Sequence, residues 1–194
     1  MPDGTHLRSP GMDALLTLPN VITFARLCAV PLAVWLVLDH RLAETFVLFV
    51  AAGISDAVDG WLARHAGMGS HAGAVLDPVA DKALLVSMYI VLASIGVLPD
   101  WLAILVVFRD LLIVGGVLVL AVLGQPVAIR PLFVSKVNTM LQIVLVAAAL
   151  FLAGFRLHAP GVLAVLVWAV AASTFASGFA YVRRAARPPR PDAA

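Results

Sequence analysis

Apolar residues in this chain come in long runs separated by short polar turns. Six runs reach the roughly 20 mostly apolar residues that a membrane-spanning helix needs: 21–38, 42–63, 74–98, 101–123, 132–153 and 160–181. The pattern predicts an all-α, polytopic membrane protein with six transmembrane helices. Connections at 39–41 and 99–100 are short enough to force antiparallel neighbours. Residues 12–18 fit a short interfacial helix that Pro19 breaks. Neither a repeat nor a second domain is visible. Residues 1–187 read as one membrane domain, and 188–194 as a disordered tail.

Composition narrows the class. Apolar residues make up 62% of the chain and charged residues 12%, against about half and about a quarter in a soluble domain. That leaves too little polar surface to coat a water-soluble globule. The single cysteine, Cys28, excludes an internal disulfide framework and reads as a small core residue. A net charge of +2 says little about nucleic acid, and no basic, aromatic face suggests it as a partner. Residues 1–11 carry Pro2, Asp3, Gly4, Pro10 and Gly11, a poor signal-peptide core. The first apolar run is therefore expected to be a mature span.

Charge placement sets the orientation. Arg8, Arg64, Arg130, Arg183, Arg184, Arg187 and Arg190 fall on one side of the predicted spans, and only Arg41 and Arg156 on the other. Basic residues collect on the cytoplasmic side, so both termini are expected there. The arginines after Tyr181 either set topology or attract anionic lipid.

Four aspartates stand where an apolar span does not want them. Asp56 and Asp59 close the second run, and Asp77 and Asp81 open the third. One Asp at a span's centre costs roughly 2.5–3.5 kcal/mol, so four would cost on the order of 10 kcal/mol, less near the interface. The i, i+3 and i, i+4 spacings put each pair on one helix face. Counting from the 65–72 turn at about 1.5 Å per residue, Asp59 comes level with Asp77, and Asp56 with Asp81 about 12 Å deep. Only Arg64, Lys82, His65 and His71 lie near enough to balance the cluster. Hard carboxylate oxygens suit Mg²⁺, Mn²⁺ or Ca²⁺ rather than zinc. Two ions about 3.5–4 Å apart would neutralise the cluster and clamp phosphate oxygens. The same residues also fit a structural polar network, or an ion or proton pathway. Missing repeats and uninterrupted spans speak against a transporter.

The stretch from Asp56 to Asp81 reads D-x2-D-G-x2-A-R-x8-G-x3-D-x3-D, with fixed positions at Asp56, Asp59, Gly60, Ala63, Arg64, Gly73, Asp77 and Asp81. It resembles the signature of the CDP-alcohol phosphatidyltransferase family, and the six-span plan resembles that family over nearly the whole chain. The resemblance implies two divalent cations, Mg²⁺ or Mn²⁺, held by the four aspartates at the diphosphate of CDP-diacylglycerol. It implies that Gly60 and Ala63 let the nucleotide approach the helix, that Gly73 leaves room beside it, and that Arg64 contacts a phosphate or the acidic cluster. Asp81 would be the general base. Gly73 with Gly69 also makes a helix-packing pattern, and Arg64 also fits a topology anchor. No Ser-His or Cys-His pair is evident, so direct attack by a lipid hydroxyl is expected, with CMP leaving.

Two further segments bear on the acceptor. Residues 18–26 resemble the first-span entry of the glycerophosphate and cardiolipin branches of the family. Asn20, Thr23 and Arg26 step along one face there. Asn20 and Thr23 suit the nucleotide, while Arg26 suits an acceptor phosphate or snorkelling to the interface. Residues 133–142, with Arg109 and Asp110 before them, are similar to the CMP-forming, cardiolipin-producing branch. Phosphatidylglycerol is then the expected acceptor, and glycerol 3-phosphate the alternative. Lys136 suits the acceptor phosphate, or snorkels. Asp110 is adjacent to Arg109 and is not expected to face it on a helix, so Arg109 is assigned an acceptor phosphate or a cluster carboxylate. Mitochondrial members have a longer stretch between spans four and five than 124–131 provides here. The chain thus resembles a compact bacterial form, expected in the cytoplasmic (inner) membrane. A small-residue face, Ser173, Ala176, Ser177 and Ala180, suits packing of a partner helix and a homodimer.

Overall fold

A computed structural model describes residues 18–66, 73–122 and 133–185, with side-chain detail over 25–55, 58, 82–116 and 133–183. The expected 12–18 helix lies outside the described residues apart from Leu18, which opens the first helix. The 188–194 tail lies outside them entirely.

Among the described residues the fold is six α-helices and no strands: α1 Leu18–Leu38, α2 Leu42–Ala66, α3 Gly73–Ser94, α4 Asp100–Val122, α5 Phe133–Gly154 and α6 Pro160–Ala185. Each coincides with one of the apolar runs. Pro19 falls in the first turn of α1, where its missing N–H is tolerated. Pro31 lies inside α1 and removes one helical hydrogen bond without ending the helix.

Three turns close the same end of the bundle by the same device. After α1, the N–H of Arg41 reaches the Leu36 carbonyl at 2.8 Å and that of His40 reaches Val37 at 3.0 Å. After α3, Val97 bonds to Leu92 at 2.9 Å and Gly96 to Ala93 at 2.8 Å. After α5, Leu157 bonds to Leu152 at 2.8 Å and Arg156 to Ala153 at 3.3 Å. Each is a Schellman pair, which satisfies helix-end carbonyls with a left-handed residue. That residue is Gly96 in one turn but His40 (φ 58°) and Arg156 (φ 56°) in the others. The Gly96 cap corrects the end of the third run: α3 stops at Ser94, where 98 was expected.

Helix α3 occupies the middle. It packs on α1, α4 and α5, while α2 packs on α1 and α5, and α6 on α4 and α5. Tyr89, Met88 and Leu92 of α3 are fully buried with Val37, Leu102, Leu145, Leu150 and Val170. Tyr89 donates its hydroxyl hydrogen to the Gln142 carbonyl at 3.3 Å. At the end of α5, a Cβ on Gly154 would fall 2.6 Å from the Ala43 backbone nitrogen, so only glycine allows this approach of α2.

One expectation is corrected here. Cys28 is exposed rather than in the core. An apolar run does not say which face of its helix looks inward. The small-residue face of α6 is used inside the chain. Ser177 is fully buried, and the Ser173 hydroxyl donates to Asn138 Oδ1 at 2.7 Å. Ala176, on the same face, is exposed and leaves part of it open.

Two helices, Phe133–Gly154 and Pro160–Arg183, are long and apolar enough among the described residues to cross a membrane. Shorter apolar helical stretches occupy Ala25–Leu38, Leu42–Ser55 and Lys82–Ser94.

Candidate active site

The backbone keeps the spacing that the aspartates need. Helix α2 runs unbroken through Asp56, Asp59, Gly60, Ala63 and Arg64, and α3 runs from Gly73 through Asp77 and Asp81. Each acidic pair therefore holds the i, i+3 or i, i+4 relation of one helix face. The side chains of these residues, and those of Asn20 and Thr23, lie outside the described residues.

Helices α2 and α3 have no close backbone approach among the described residues; α1 and α5 approach both. A cavity of about 520 Å³ is lined by Arg26 of α1, Phe49 to Ile54 of α2 (Ala51 excepted), Lys82, Leu84 and Leu85 of α3, and Thr139 to Ala147 on one face of α5. Its walls are nearly all apolar, and Arg26 and Lys82 are its two cations. Asp56 follows Ile54 by two residues, and Asp81 precedes Lys82 by one. Both acidic turns thus border the cavity along the chain. The donor chemistry of four carboxylates fits a hard divalent cation. Among the described residues, no group of three or more His, Cys, Asp or Glu is gathered.

Arg26 is 5% exposed, so it sits inside the bundle rather than snorkelling to its surface. Lys136 is exposed, beside a shallow cleft with Ser135, Thr139, Met140 and Ile143. This cleft shares Thr139, Met140 and Ile143 with the larger cavity.

Arg109 pairs with Asp110, the neighbour that the spacing rule set aside. It is 4% exposed, and its Nη1 donates to Asp110 Oδ1 at 2.8 Å. Neighbouring Cβ atoms diverge on a helix, but an arginine is long enough to curl its guanidinium back. Arg109 Nη2 donates to Ser135 Oγ at 2.7 Å and also to Ser177 Oγ. The guanidinium carbon lies 5.9 Å over the Tyr181 ring. Asp110 Oδ2 accepts from Lys82 Nζ at 2.7 Å. Lys82, expected to balance the acidic cluster, is therefore paired to α4 instead. The sequence reading missed this network of α3, α4, α5 and α6, although two adjacent charges in an apolar run were its signal. One turn further along, Asn138 Oδ1 accepts from Ser173 at 2.7 Å and from Thr174 at 2.9 Å.

Comparison with known proteins decides the family. Residues 16–176 match CDP-alcohol phosphatidyltransferase. The chain belongs to the CDP-alcohol phosphatidyltransferase family. It is 36% identical to the chloroplastic CDP-diacylglycerol–glycerol-3-phosphate 3-phosphatidyltransferase 1 of Oryza sativa subsp. japonica, over 93% of this chain and 61% of that protein. It is 30% identical to the CMP-forming cardiolipin synthase of Rattus norvegicus, over 85% of this chain and 60% of that protein. Identity to the CDP-diacylglycerol–glycerol-3-phosphate 3-phosphatidyltransferase of Bacillus subtilis is 32%, over 70% of this chain and 77% of that protein. The chain thus spans about three-fifths of the rice and rat proteins. Relatives in this CDP-alcohol phosphatidyltransferase family carry two kinds of name, one for a lipid product and one for glycerol 3-phosphate as acceptor.

Proposed function

We propose that this family member transfers the phosphatidyl group of CDP-diacylglycerol to a hydroxyl of phosphatidylglycerol, releasing CMP and forming cardiolipin. The observation that carries the reading is the apolar cavity between α1, α2, α3 and α5, bordered along the chain by the Asp56 and Asp81 turns. A donor with two acyl chains needs an apolar chamber directly under its diphosphate. An acceptor that is itself a lipid needs a second apolar approach, and the cleft at Lys136 adjoins the cavity.

Two divalent cations, Mg²⁺ or Mn²⁺, held by Asp56, Asp59, Asp77 and Asp81, supply charge neutralisation at the diphosphate. Asn20, Thr23, Gly60, Ala63, Arg64 and Gly73 accommodate the nucleotide. Asp81 accepts the proton of the acceptor hydroxyl. The acceptor oxygen then bonds to the β-phosphorus, the phosphorus–oxygen bond to CMP breaks, and CMP leaves. Phosphoryl transfer asks mainly for such positioning and charge neutralisation. Lys136 and Arg26 take the acceptor phosphate. Arg109, bonded to Asp110, Ser135 and Ser177, belongs to the same acceptor-phosphate set.

Large apolar side chains point outward from all six helices, among them Trp35, Val47, Ile90, Phe108, Phe133 and Phe179. Exposed apolar surface this widespread supports immersion of the whole bundle as six spans. The arginine distribution supports an orientation with both termini and the active site on the cytoplasmic side, and the short 124–131 stretch supports a bacterial cytoplasmic membrane.

The names of the rice and Bacillus relatives favour a second reading, in which glycerol 3-phosphate is the acceptor and phosphatidylglycerophosphate the product. One experiment separates these. The purified chain in nanodiscs receives CDP-diacylglycerol with Mg²⁺ or Mn²⁺ and either acceptor, and both CMP and lipid product are measured. Cardiolipin from phosphatidylglycerol is the expected outcome. Consumption of glycerol 3-phosphate alone establishes the second reading. Ion flux in liposomes without any CMP would sink both.

A further inference from the structure

Asp110 is the acidic centre of an ion triad. It is 7% exposed on α4, and its two oxygens are divided between two cations. Oδ1 takes Arg109 Nη1 at 2.8 Å, and Oδ2 takes Lys82 Nζ at 2.7 Å. Arg109 has two serine partners besides. Lys82 stands differently. Its side chain is 38% exposed, it lines the cavity, and it follows Asp81 on α3. Its Cα lies one helical rise, about 1.5 Å along the axis, from that of Asp81. An ammonium on a flexible stem at that place is a natural competitor for a carboxylate cluster.

We infer that Asp110 is a positioning residue that holds the Lys82 ammonium against α4, and so keeps it from occupying the carboxylates reserved for divalent cations. The inference rests on the proposed metal role of Asp56, Asp59, Asp77 and Asp81. Asp110 makes no contact with substrate in this scheme. It acts by giving Lys82 a better-placed, buried partner, where a charge-assisted hydrogen bond is strong. Asp110→Asn is a selective probe. Its Oδ1 still accepts from Arg109, while the group facing Lys82 becomes an amide donor.

The test is direct Mn²⁺ binding to the full-length chain in nanodiscs without nucleotide, read as loss of the free Mn²⁺ electron paramagnetic resonance signal. Asp110→Asn is expected to weaken binding fivefold or more. Lys82→Gln alone should stay within twofold of wild type, and Lys82→Gln in the Asp110→Asn background should restore binding to within twofold. This non-additivity is the signature. If Lys82→Gln tightens binding equally in both backgrounds, the effect is simple charge addition and the inference is overturned. Unchanged binding in Asp110→Asn also overturns it. Asp110→Ser, which keeps an acceptor for Arg109, carries the same expectations if the Asn variant does not fold. A wild type that binds no Mn²⁺ defeats the metal reading itself, an outcome distinct from wild-type binding that Asp110→Asn leaves intact.

Discussion

Arg109 and Asp110 are consecutive on α4, yet their side chains close an ion pair of 2.8 Å inside the bundle. The guanidinium then spans to α5 and α6 through Ser135 and Ser177. Removing one partner of a buried pair leaves the other charge uncompensated, at roughly 3–5 kcal/mol. Lys82 still holds Asp110, so Arg109→Met is expected to cost about 3 kcal/mol, at the low end of that range. Thermal unfolding in detergent measures it. Ser177→Ala removes only one of the serine acceptors and should cost about 1 kcal/mol.

Asp81 is the proposed base. Asp81→Asn is expected to lower the rate of CMP release by roughly 10²–10⁴-fold, the range for general acid–base catalysis. Chelation of divalent ions should stop CMP release in the wild type, and added Mg²⁺ or Mn²⁺ should restore it. Near wild-type turnover by the Asn variant would remove Asp81 from the mechanism.

Gly53 lines the cavity on α2, and a Cβ built there meets nothing within 4 Å. Gly53→Leu should therefore fold well and gain helix propensity of up to about 1 kcal/mol. The added side chain occupies lipid space, and CMP release from CDP-diacylglycerol should fall at least tenfold on the proposed reading. A stable variant with full turnover would show that the cavity does not hold acyl chains.

Gly154 is the opposite case. A methyl group there would sit 2.6 Å and 2.7 Å from backbone atoms of Ala43. Backbone cannot rotate aside, so Gly154→Ala must push α2 and α5 apart. The expected loss is about 1–3 kcal/mol, typical of overpacking, and is read from the midpoint of thermal unfolding.

His40 holds a left-handed conformation at φ 58°, in the turn after α1. Such a conformation costs a non-glycine residue roughly 1–2 kcal/mol. His40→Gly should stabilise the protein, by about 1 kcal/mol or less after the glycine's extra chain entropy is counted. A lower unfolding midpoint would show that the imidazole contributes more than the strain it carries.

The helices were legible because long apolar runs met abrupt punctuation. Asp39 to Arg41 and Pro99 with Asp100 marked turns, and α1 and α2, like α3 and α4, pack as the short links required. Four carboxylates in such runs mark the region proposed as the active site, because they are expensive there. Inward and outward faces were not legible. When both sides of a helix are apolar, no periodicity separates core from surface, which is why Cys28 was misplaced. The Arg109 pairing was missed because the spacing rule describes Cβ directions, and a long guanidinium escapes it. The left-handed caps at His40 and Arg156 were hidden because neither is the glycine or asparagine that usually announces them.

Helices α2 and α5 touch backbone to backbone at Ala43 and Gly154, then part around the chamber near Gly53. Ten residues of α2, about 15 Å, separate the two places. The tight contact and the open chamber thus belong to the same pair of helices. On the proposed reading, a substitution at that contact, far from the phosphate chemistry, should retune the bulk of lipid the chamber admits.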